Sequence, residues 1–270
     1  EEDGWPTPSG KQEIYSNSMV EFGYPEHSIP HYRVMSHVHP DNLQGEDEYC
    51  LLPNFRLPQH IHSRSANAKW LAEIAHRNPL WVHPNDAEKL GVSEGGLLKV
   101  ETEIGWFIDK VWVTEGIKPG IIGCSHHIGR WRRKQDSGNR YMTNEVEIED
   151  LGEGRMRMRT VTGVRPWESD DPDTNRVWWR DGGVHQNITH AVQPDPISGA
   201  HCWLQKVRIS RPSQGEKYGD VEVDTNRSFE YYKKWNEMAK EREVHPRGER
   251  RPLWMNRPLP PRKEHWFIRE

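Results

Sequence analysis

The chain has 270 residues, of which 33% are hydrophobic and 29% charged, and its net charge at neutral pH is −4. This length accommodates one large domain or one domain with extensions, and the low apolar fraction limits the core. The negative net charge gives no general electrostatic reason to bind nucleic acid. No run approaches the ~20 apolar residues of a membrane span, and the acidic start, EEDGW, does not have the pattern of a signal peptide.

The N-terminal 30 residues are interrupted by Pro6, Pro8 and Gly10. Such residues break regular structure, although residues 12–16 could form a short strand. From the chemistry of the residues alone, a loose N-terminal arm is favoured.

Alternating apolar and turn segments predict a β-rich body with few helices. A helix is predicted over residues 66–76, with Leu71, Ile74 and Ala75 on one face. A second helix begins near Pro84, where a missing N–H costs nothing, and ends at Gly91. A hairpin turns at residues 104–105. Strands are predicted at residues 49–53, 80–83, 97–103, 106–114, 121–125 and 206–209.

Residues 132–178 are rich in charge and Gly and read as an insertion, with strands at 145–149 and 155–162. An amphipathic helix is predicted over residues 228–240, where Phe229, Tyr232, Trp235 and Met238 follow helical spacing. The last thirty residues are too Pro-rich for a helix or a central strand. We expect an extended tail whose Trp254 and Trp266 pack against a neighbouring subunit or the chain's own domain.

Charged residues and cysteines leave few options for catalysis. Cys50, Cys124 and Cys202 form no C-x-x-C pair and cannot by themselves ligate a four-cysteine cluster or a structural zinc, so we expect buried thiols. A basic cluster indicates either a solvated face or contact with an acidic partner or an anionic cofactor. Its members are Arg130, Arg132, Arg133, Lys134, Arg140, Arg155, Arg157 and Arg159.

The segment HIHSRSAN, residues 60–67, offers three interpretations. A His-x-His pair could bind zinc, but no third ligand stands at zinc spacing. One or both histidines could have a structural role. The third interpretation is a nucleotide-binding loop that runs into the helix predicted from residue 66, whose free N–H groups suit diphosphate oxygens.

Four motifs occur in the order found in the molybdopterin oxidoreductases, the dimethyl sulfoxide reductase family. They are HSRSAN at residues 62–67, NPLWVHPNDA at 78–87, SHHIGRW at 125–131, and NIT followed by DPISG at 187–199. The chain resembles the C-terminal, dinucleotide-binding domain of that family, over about residues 5–131 and 176–210. The resemblance implies a six-stranded double-psi β-barrel of the aspartate decarboxylase type. It divides the chain into a linker arm (1–30), the barrel domain (31–210), and a C-terminal helix and tail (211–270).

The resemblance also implies which residues contact a molybdopterin guanine dinucleotide. The expected cofactor-binding residues are His62, Ser63, Arg64, Asn67, Asn78, His126, His127, Asn187 and Thr189. No catalytic residue or metal ligand is assigned, and Asp86 is interpreted as a helix-start residue. The pattern departs from many relatives at CWLQK, residues 202–206, where they have an aromatic-Lys pair. No cofactor role is therefore assigned to Gln205 or Lys206.

The predicted function is to hold the dinucleotide arms of a bis-(molybdopterin guanine dinucleotide) cofactor, with molybdenum or tungsten, in the catalytic chain of an oxidoreductase. The family's metal ligand and cluster cysteines are not in this sequence, so we expect the isolated chain to be inactive. The loop sequences most resemble those of the branch that acts on polysulfide, thiosulfate, tetrathionate, arsenate and sulfite. They are also compatible with a phenylacetyl-CoA-oxidising relative.

Expected partners are the N-terminal catalytic part of the same oxidoreductase, an iron–sulfur electron-transfer subunit that carries any clusters, and a membrane anchor subunit. The favoured location is a cytoplasmic or membrane-associated complex rather than a periplasmic one. The alternative function is a non-catalytic double-psi barrel that serves protein interaction without a cofactor.

Overall fold

The computed structural model divides into two compact units, and its described residues form ten strands. The described residues are 5, 7, 10–21, 24–31, 43, 45–53, 57, 59–62, 68–74, 77–133, 144–162, 181–192, 200–201 and 203–238. The strands are Glu48–Leu52 (β1), Leu80–Val82 (β2), Leu97–Glu101 (β3), Gly105–Val113 (β4), Ile121–Gly123 (β5), Trp131–Arg133 (β6), Asn144–Gly152 (β7), Arg155–Thr162 (β8), Gln205–Ser210 (β9) and Val221–Asp224 (β10). The α-helices are Asn17–Glu21 (α1), Lys69–Ile74 (α2), Pro84–Lys89 (α3) and Thr225–Met238 (α4).

Six of the strands close into a barrel. Their hydrogen-bonded order is β2–β5–β1–β9–β3–β4, and β4 pairs with β2 to complete the ring. β1 is parallel to β5 and β2 is parallel to β4, whereas the other four pairings are antiparallel. This closed ring with few short helices confirms the predicted mainly β fold and is consistent with a double-psi barrel.

Apolar side chains fill the barrel interior. They occur at alternate positions because successive side chains of a strand point to opposite faces. Tyr49 and Leu51 of β1 are buried and alternate with partly exposed neighbours, and Leu98 and Val100 of β3 follow the same pattern. Phe107 of β4 is fully buried among them. Burial of such side chains stabilises the fold by about 1.5–3 kcal/mol each.

A four-stranded extension continues the sheet beyond the ring. β4 is long enough to pair with β2 near its end and with β10 near its start, where Phe107 lies opposite Val221. From β10 the sheet continues through β8 and β7 to β6. The predicted strands at 145–149 and 155–162 are confirmed as β7 and β8, whereas β6 and β10 were not predicted.

Helix α3 begins and ends as the sequence predicted. Pro84 occupies the first turn, and the Nδ1 atom of His83 accepts a hydrogen bond from the N–H of Asn85 at 3.2 Å. At the other end Gly91 has φ +63°, and the N–H of Val92 donates to the carbonyl of Ala87 at 2.9 Å. This arrangement at the C-terminus of the helix is a Schellman motif, in which the residue after the helix adopts a left-handed conformation.

We predict that Gly91→Ala lowers the free energy of unfolding by about 1–2 kcal/mol, because a Cβ disfavours the left-handed region. Gly91→Asn should lose less, since Asn tolerates this conformation. Urea unfolding of the two variants and the parent chain measures the difference. Equal stability of Gly91→Ala and the parent would contradict the prediction.

Other predicted elements differ from the structure in position or kind. The possible strand at residues 12–16 is not formed, because this segment has no strand pairing and its side chains are mostly exposed. The described helix in the region predicted at 66–76 is α2, and its Ile74 is 70% exposed. The helix predicted at 228–240 is α4, which begins earlier, at Thr225. The tail predicted for the last thirty residues lies outside the described residues.

The two units have different described contents. One combines residues 1–35, 193–202 and 231–270, and includes α1 and the buried Tyr24. The other, residues 36–192 and 203–230, contains the barrel and its extension. The predicted domain boundaries remain a prediction. In the described segments, every helix is too short or too polar to cross a bilayer.

Candidate functional site

A cavity of about 280 Å³ opens in the barrel unit where the segment after β5 meets residues near 185. Histidines and other polar groups dominate its wall, and one tryptophan contributes an aromatic ring. The lining residues are His62, His126, His127, Ile128, Gly129, Arg130, Trp131, His185 and Asn187. Four of them, His62, His126, His127 and Asn187, are among the predicted site residues.

Two buried amide side chains position the segment that follows β5. Asn78 accepts a hydrogen bond from the N–H of Ser125 at 2.9 Å, and its Nδ2 atom donates to the carbonyl of the same residue. Gln186 donates to that carbonyl from its Nε2 atom at 2.7 Å. Asn78 is 1% exposed and does not line the cavity. Its described contacts therefore orient the residues that line the cavity.

The imidazole rings of His62, His126 and His127 pack against one another. Their centroids are 4.8 Å apart for His62 and His126, 4.9 Å for His62 and His127, and 4.4 Å for His126 and His127. His62 is exposed and has a left-handed backbone with φ +43°. Residues 62 and 126 are far apart in the chain, so only the closed barrel brings these rings together.

The ring of His126 is fixed from two sides. Its Nδ1 atom lies 2.8 Å from the carbonyl oxygen of Pro53, which can only accept, so Nδ1 carries the proton. The indole of Trp203 stacks on the ring with a centroid separation of 4.9 Å. These two contacts set both the tautomer and the orientation of His126.

Gly129 allows the two walls of the cavity to approach closely. Its φ is +107°, and its N–H donates to the carbonyl of Gly182 at 2.9 Å. A Cβ at this position would lie 2.1 Å from the carbonyl oxygen of Val184. Asn144, the first residue of β7, fixes the opposite wall by accepting from the N–H of Gly182 and donating to the carbonyl of Gly183.

Asn187 and Thr189 have different surroundings. Asn187 lines the cavity, and its Nδ2 atom donates to the carbonyl of His126 at 3.2 Å, while its buried Oδ1 atom has no hydrogen-bond partner among the described residues. Thr189 is fully buried, and its hydroxyl donates to the carbonyl of Gln186 at 2.7 Å. Ser63, Arg64 and Asn67 lie outside the described residues.

Five lining residues were not predicted from the sequence: Ile128, Gly129, Arg130, Trp131 and His185. Arg130 and Trp131 stand in the SHHIGRW motif, which was the available signal, whereas His185 had none. Burial lowers the pKa of His185, so its imidazole is held neutral. No cofactor role was assigned to Gln205 or Lys206. The side chain of Gln205 accepts a hydrogen bond from the N–H of Ala191, and Lys206 forms an ion pair with Glu48.

A buried polar group lies behind the segment that follows β5. Asp109 is 1% exposed, and burial raises the pKa of its carboxyl, with a further rise from the charge of Asp181. Burial likewise raises the pKa of the Cys124 thiol, whose Sγ atom lies 3.5 Å from Nε2 of Gln186. The thiol therefore stays protonated at neutral pH, as is usual for a buried structural cysteine. Cys124 matches the buried thiol expected, whereas Cys50 is half-buried.

We predict that Asp109→Asn makes stability less dependent on pH. The folded chain holds the Asp109 proton more tightly than the unfolded chain, so this proton stabilises the fold below the unfolded pKa of about 3.9 and the contribution falls as pH rises. Urea unfolding from about pH 5 to pH 8 should show a smaller loss for the variant than for the parent chain. Parallel curves would contradict the assignment.

Comparisons with known proteins agree on one family. Residues 51–202, more than half of the chain, match the family model described as "Molydopterin dinucleotide binding domain". The chain is 23% identical over 197 residues to the molybdopterin-containing subunit of the arsenate respiratory reductase of Chrysiogenes arsenatis, which covers 63% of this chain and 22% of that protein.

Two further relatives are also described as catalytic or molybdopterin-containing chains of reductases. The putative catalytic chain of a dimethyl sulfoxide reductase of Halobacterium salinarum is 33% identical over 97 residues, covering 34% of this chain and 11% of that protein. The molybdopterin-containing chain of the thiosulfate reductase of Salmonella typhimurium is 29% identical over 116 residues, covering 43% and 14%. The matched part is thus at most 22% of each relative's length.

Proposed function

The chain belongs to the molydopterin dinucleotide binding domain family, and from this premise we propose that it holds the dinucleotide arms of a bis-(molybdopterin guanine dinucleotide) cofactor in the catalytic chain of an oxidoreductase. The observation that carries the proposal is the cavity beside residues 126–131, with the unsatisfied Oδ1 atom of Asn187 in its wall. A buried acceptor without a partner costs about 1–3 kcal/mol, which a bound N–H donor would recover.

The residues present fit such a group. Asn187 offers its Oδ1 atom as an acceptor for a pterin or guanine N–H, and the rings of His126 and His127 line the same cavity. Arg130 lines the same cavity and suits a phosphate, with which guanidinium groups form paired hydrogen bonds. The volume of about 280 Å³ is near the lower end of ligand pockets. The cavity therefore suits one end of a dinucleotide.

The chain's own residues would bind and orient the cofactor. When bound, this group supplies redox chemistry at its molybdenum or tungsten. Asn78 and Gln186 fix Ser125 and thereby set the position of His126 and His127. Trp203 and the carbonyl of Pro53 hold the His126 ring. Side chains fixed in this way need little reorganisation on binding, so less free energy is lost in ordering them.

We also propose that the chain acts together with an N-terminal catalytic part of the same oxidoreductase, with an iron–sulfur protein that transfers electrons, and with a membrane anchor subunit. The N-terminal part is supported by the relation of lengths, since the matched region covers 22% or less of the three relatives described above. The other two partners are proposed from the resemblance to the family alone. Isolation of the complex from its source and identification of the associated chains by mass spectrometry would test this proposal.

We predict that Asn187→Ala in the assembled enzyme lowers the content of molybdenum and of guanine nucleotide, because about 1–3 kcal/mol of cofactor binding is lost. Metal analysis and guanine determination after acid hydrolysis measure the two contents. The sequence predicted pterin contacts for both Asn187 and Thr189, and the structure places only Asn187 at the cavity.

Thr189→Val is therefore the matched variant. Its hydroxyl bonds to Gln186 inside the fold, so the replacement should lower the free energy of unfolding and leave the cofactor content of the folded enzyme near that of the parent. Full metal and nucleotide content in Asn187→Ala would contradict the proposed contact. Enzyme that contains neither molybdenum nor guanine nucleotide in its parent form would favour an interaction module instead.

A further inference from the structure

We propose that His62, His126 and His127 form a binding site for one divalent transition-metal ion of the zinc class in the chain that has no dinucleotide bound. Each residue offers one ring nitrogen, and the three nitrogens lie within 4.8 Å of one another. No metal ligand was assigned from the sequence, because only the nearby pair His60 and His62 was weighed as a zinc site. His60 is buried and is not part of this group.

The distances are compatible with coordination after small side-chain rotations. Zinc–imidazole bonds of about 2.0–2.1 Å in a tetrahedral site place the nitrogens roughly 3.4 Å apart. The three rings are in contact and need to close from a spread of at most 4.8 Å. His62 is exposed, so its ring can turn towards the other two without breaking core packing.

His126 already has the arrangement of a metal ligand. Its Nδ1–H donates to the carbonyl of Pro53 at 2.8 Å, so Nε2 is the ring nitrogen that would coordinate an ion. Histidine ligands in proteins commonly donate their second ring N–H to a carbonyl or carboxylate, which fixes the tautomer and raises the basicity of the coordinating nitrogen. This bond is independent of the clustering of the three rings and supports the same conclusion.

The ligand set selects the type of ion. Three neutral imidazoles suit Zn²⁺, Co²⁺, Ni²⁺ or Cu²⁺, whereas Mg²⁺ and Ca²⁺ prefer oxygen ligands. A site with three protein ligands leaves a fourth position open towards the cavity. Arg130 lines that cavity, and its charge opposes a bare cation. We therefore expect the fourth ligand to be an anion such as hydroxide or chloride.

Metal titration of the purified chain tests the site. After treatment with a chelator, the chain is titrated with Co²⁺, whose visible absorption reports tetrahedral coordination, and with Zn²⁺ by calorimetry. We expect one ion per chain. His62→Ala and His126→Ala should each weaken binding at least ~100-fold, since loss of an outer-shell partner alone costs roughly 10–100-fold.

His185→Ala is the matched control, because His185 lines the same cavity and is not one of the three ligands. It should bind Co²⁺ as the parent does. Circular dichroism and thermal unfolding of each variant establish that the barrel is intact, and the exposed His62 can be replaced without disturbing the core. Absence of stoichiometric binding by the parent, or unchanged binding by His62→Ala, would overturn the proposal.

Discussion

Gly129→Ala is expected to lower the free energy of unfolding of the barrel unit by about 3 kcal/mol or more and to remove cofactor retention by the assembled enzyme. Two causes act together. The residue has φ +107°, which side chains with a Cβ rarely adopt, and the new Cβ would lie 2.1 Å from the carbonyl oxygen of Val184. That oxygen belongs to backbone, so relief requires the two walls of the cavity to separate.

Gly95→Ala separates these causes. Gly95 also has a left-handed backbone, with φ +73°, but nothing lies within 4 Å of a Cβ built there. This control should therefore show the conformational cost alone, about 1–2 kcal/mol. Urea unfolding measures stability, and metal analysis of the assembled enzyme measures cofactor retention. If the two alanine variants were equally stable, the proposed collision at the cavity wall would be wrong.

Arg132→Met is expected to cost about 3–5 kcal/mol, because it removes the buried cation that forms an ion pair with the Glu145 carboxylate. Arg132 of β6 and Glu145 of β7 occupy paired positions in the sheet, and their Nη2 and Oε2 atoms are 2.6 Å apart. The two side chains are 5% and 9% exposed. Water therefore screens this pair much less than it would at the surface.

The double variant Arg132→Met with Glu145→Leu should be more stable than the single variant, since it removes both buried charges. Arg227→Met is the surface control. Arg227 is 58% exposed and 3.8 Å from Glu103, so its loss should cost under about 1 kcal/mol. Urea unfolding of the three variants gives the comparison. A double variant less stable than Arg132→Met would contradict the buried-charge explanation.

Local patterns in the sequence predicted the barrel strands well because each has its own signal. Strand β3 alternates apolar and polar residues from Leu98 to Glu101, β1 contains a short apolar run, and α3 is bounded by Pro84 and Gly91. The short strands β6 and β10 were missed, since each is stabilised mainly by pairing with a distant strand. The possible strand at 12–16 did not form for the converse reason, because a local pattern without a partner strand forms no sheet.

The candidate site residues likewise divide into those that a local motif identifies and those whose position depends on the fold. Motifs identified His126, His127 and Asn187, which line the cavity, and Asn78, which instead holds the neighbouring backbone. No local signal marked His185, whose position depends on the fold around Gly183 and Gly129. The direct cofactor contact of Asn187 remains a prediction, whereas Thr189, whose hydroxyl bonds to Gln186 inside the fold, serves as the control.

By itself, the sequence determined the mainly β architecture, the bounds of α3 and the resemblance to the dinucleotide-binding family. These features depend on residues close together in the chain, such as periodic apolar positions, capping residues and short motifs. Only the tertiary structure decided that His62 meets His126 and His127, and that Arg132 meets Glu145. Such contacts join residues that are distant along the chain, and they exist only once the closed ring of strands has set the register.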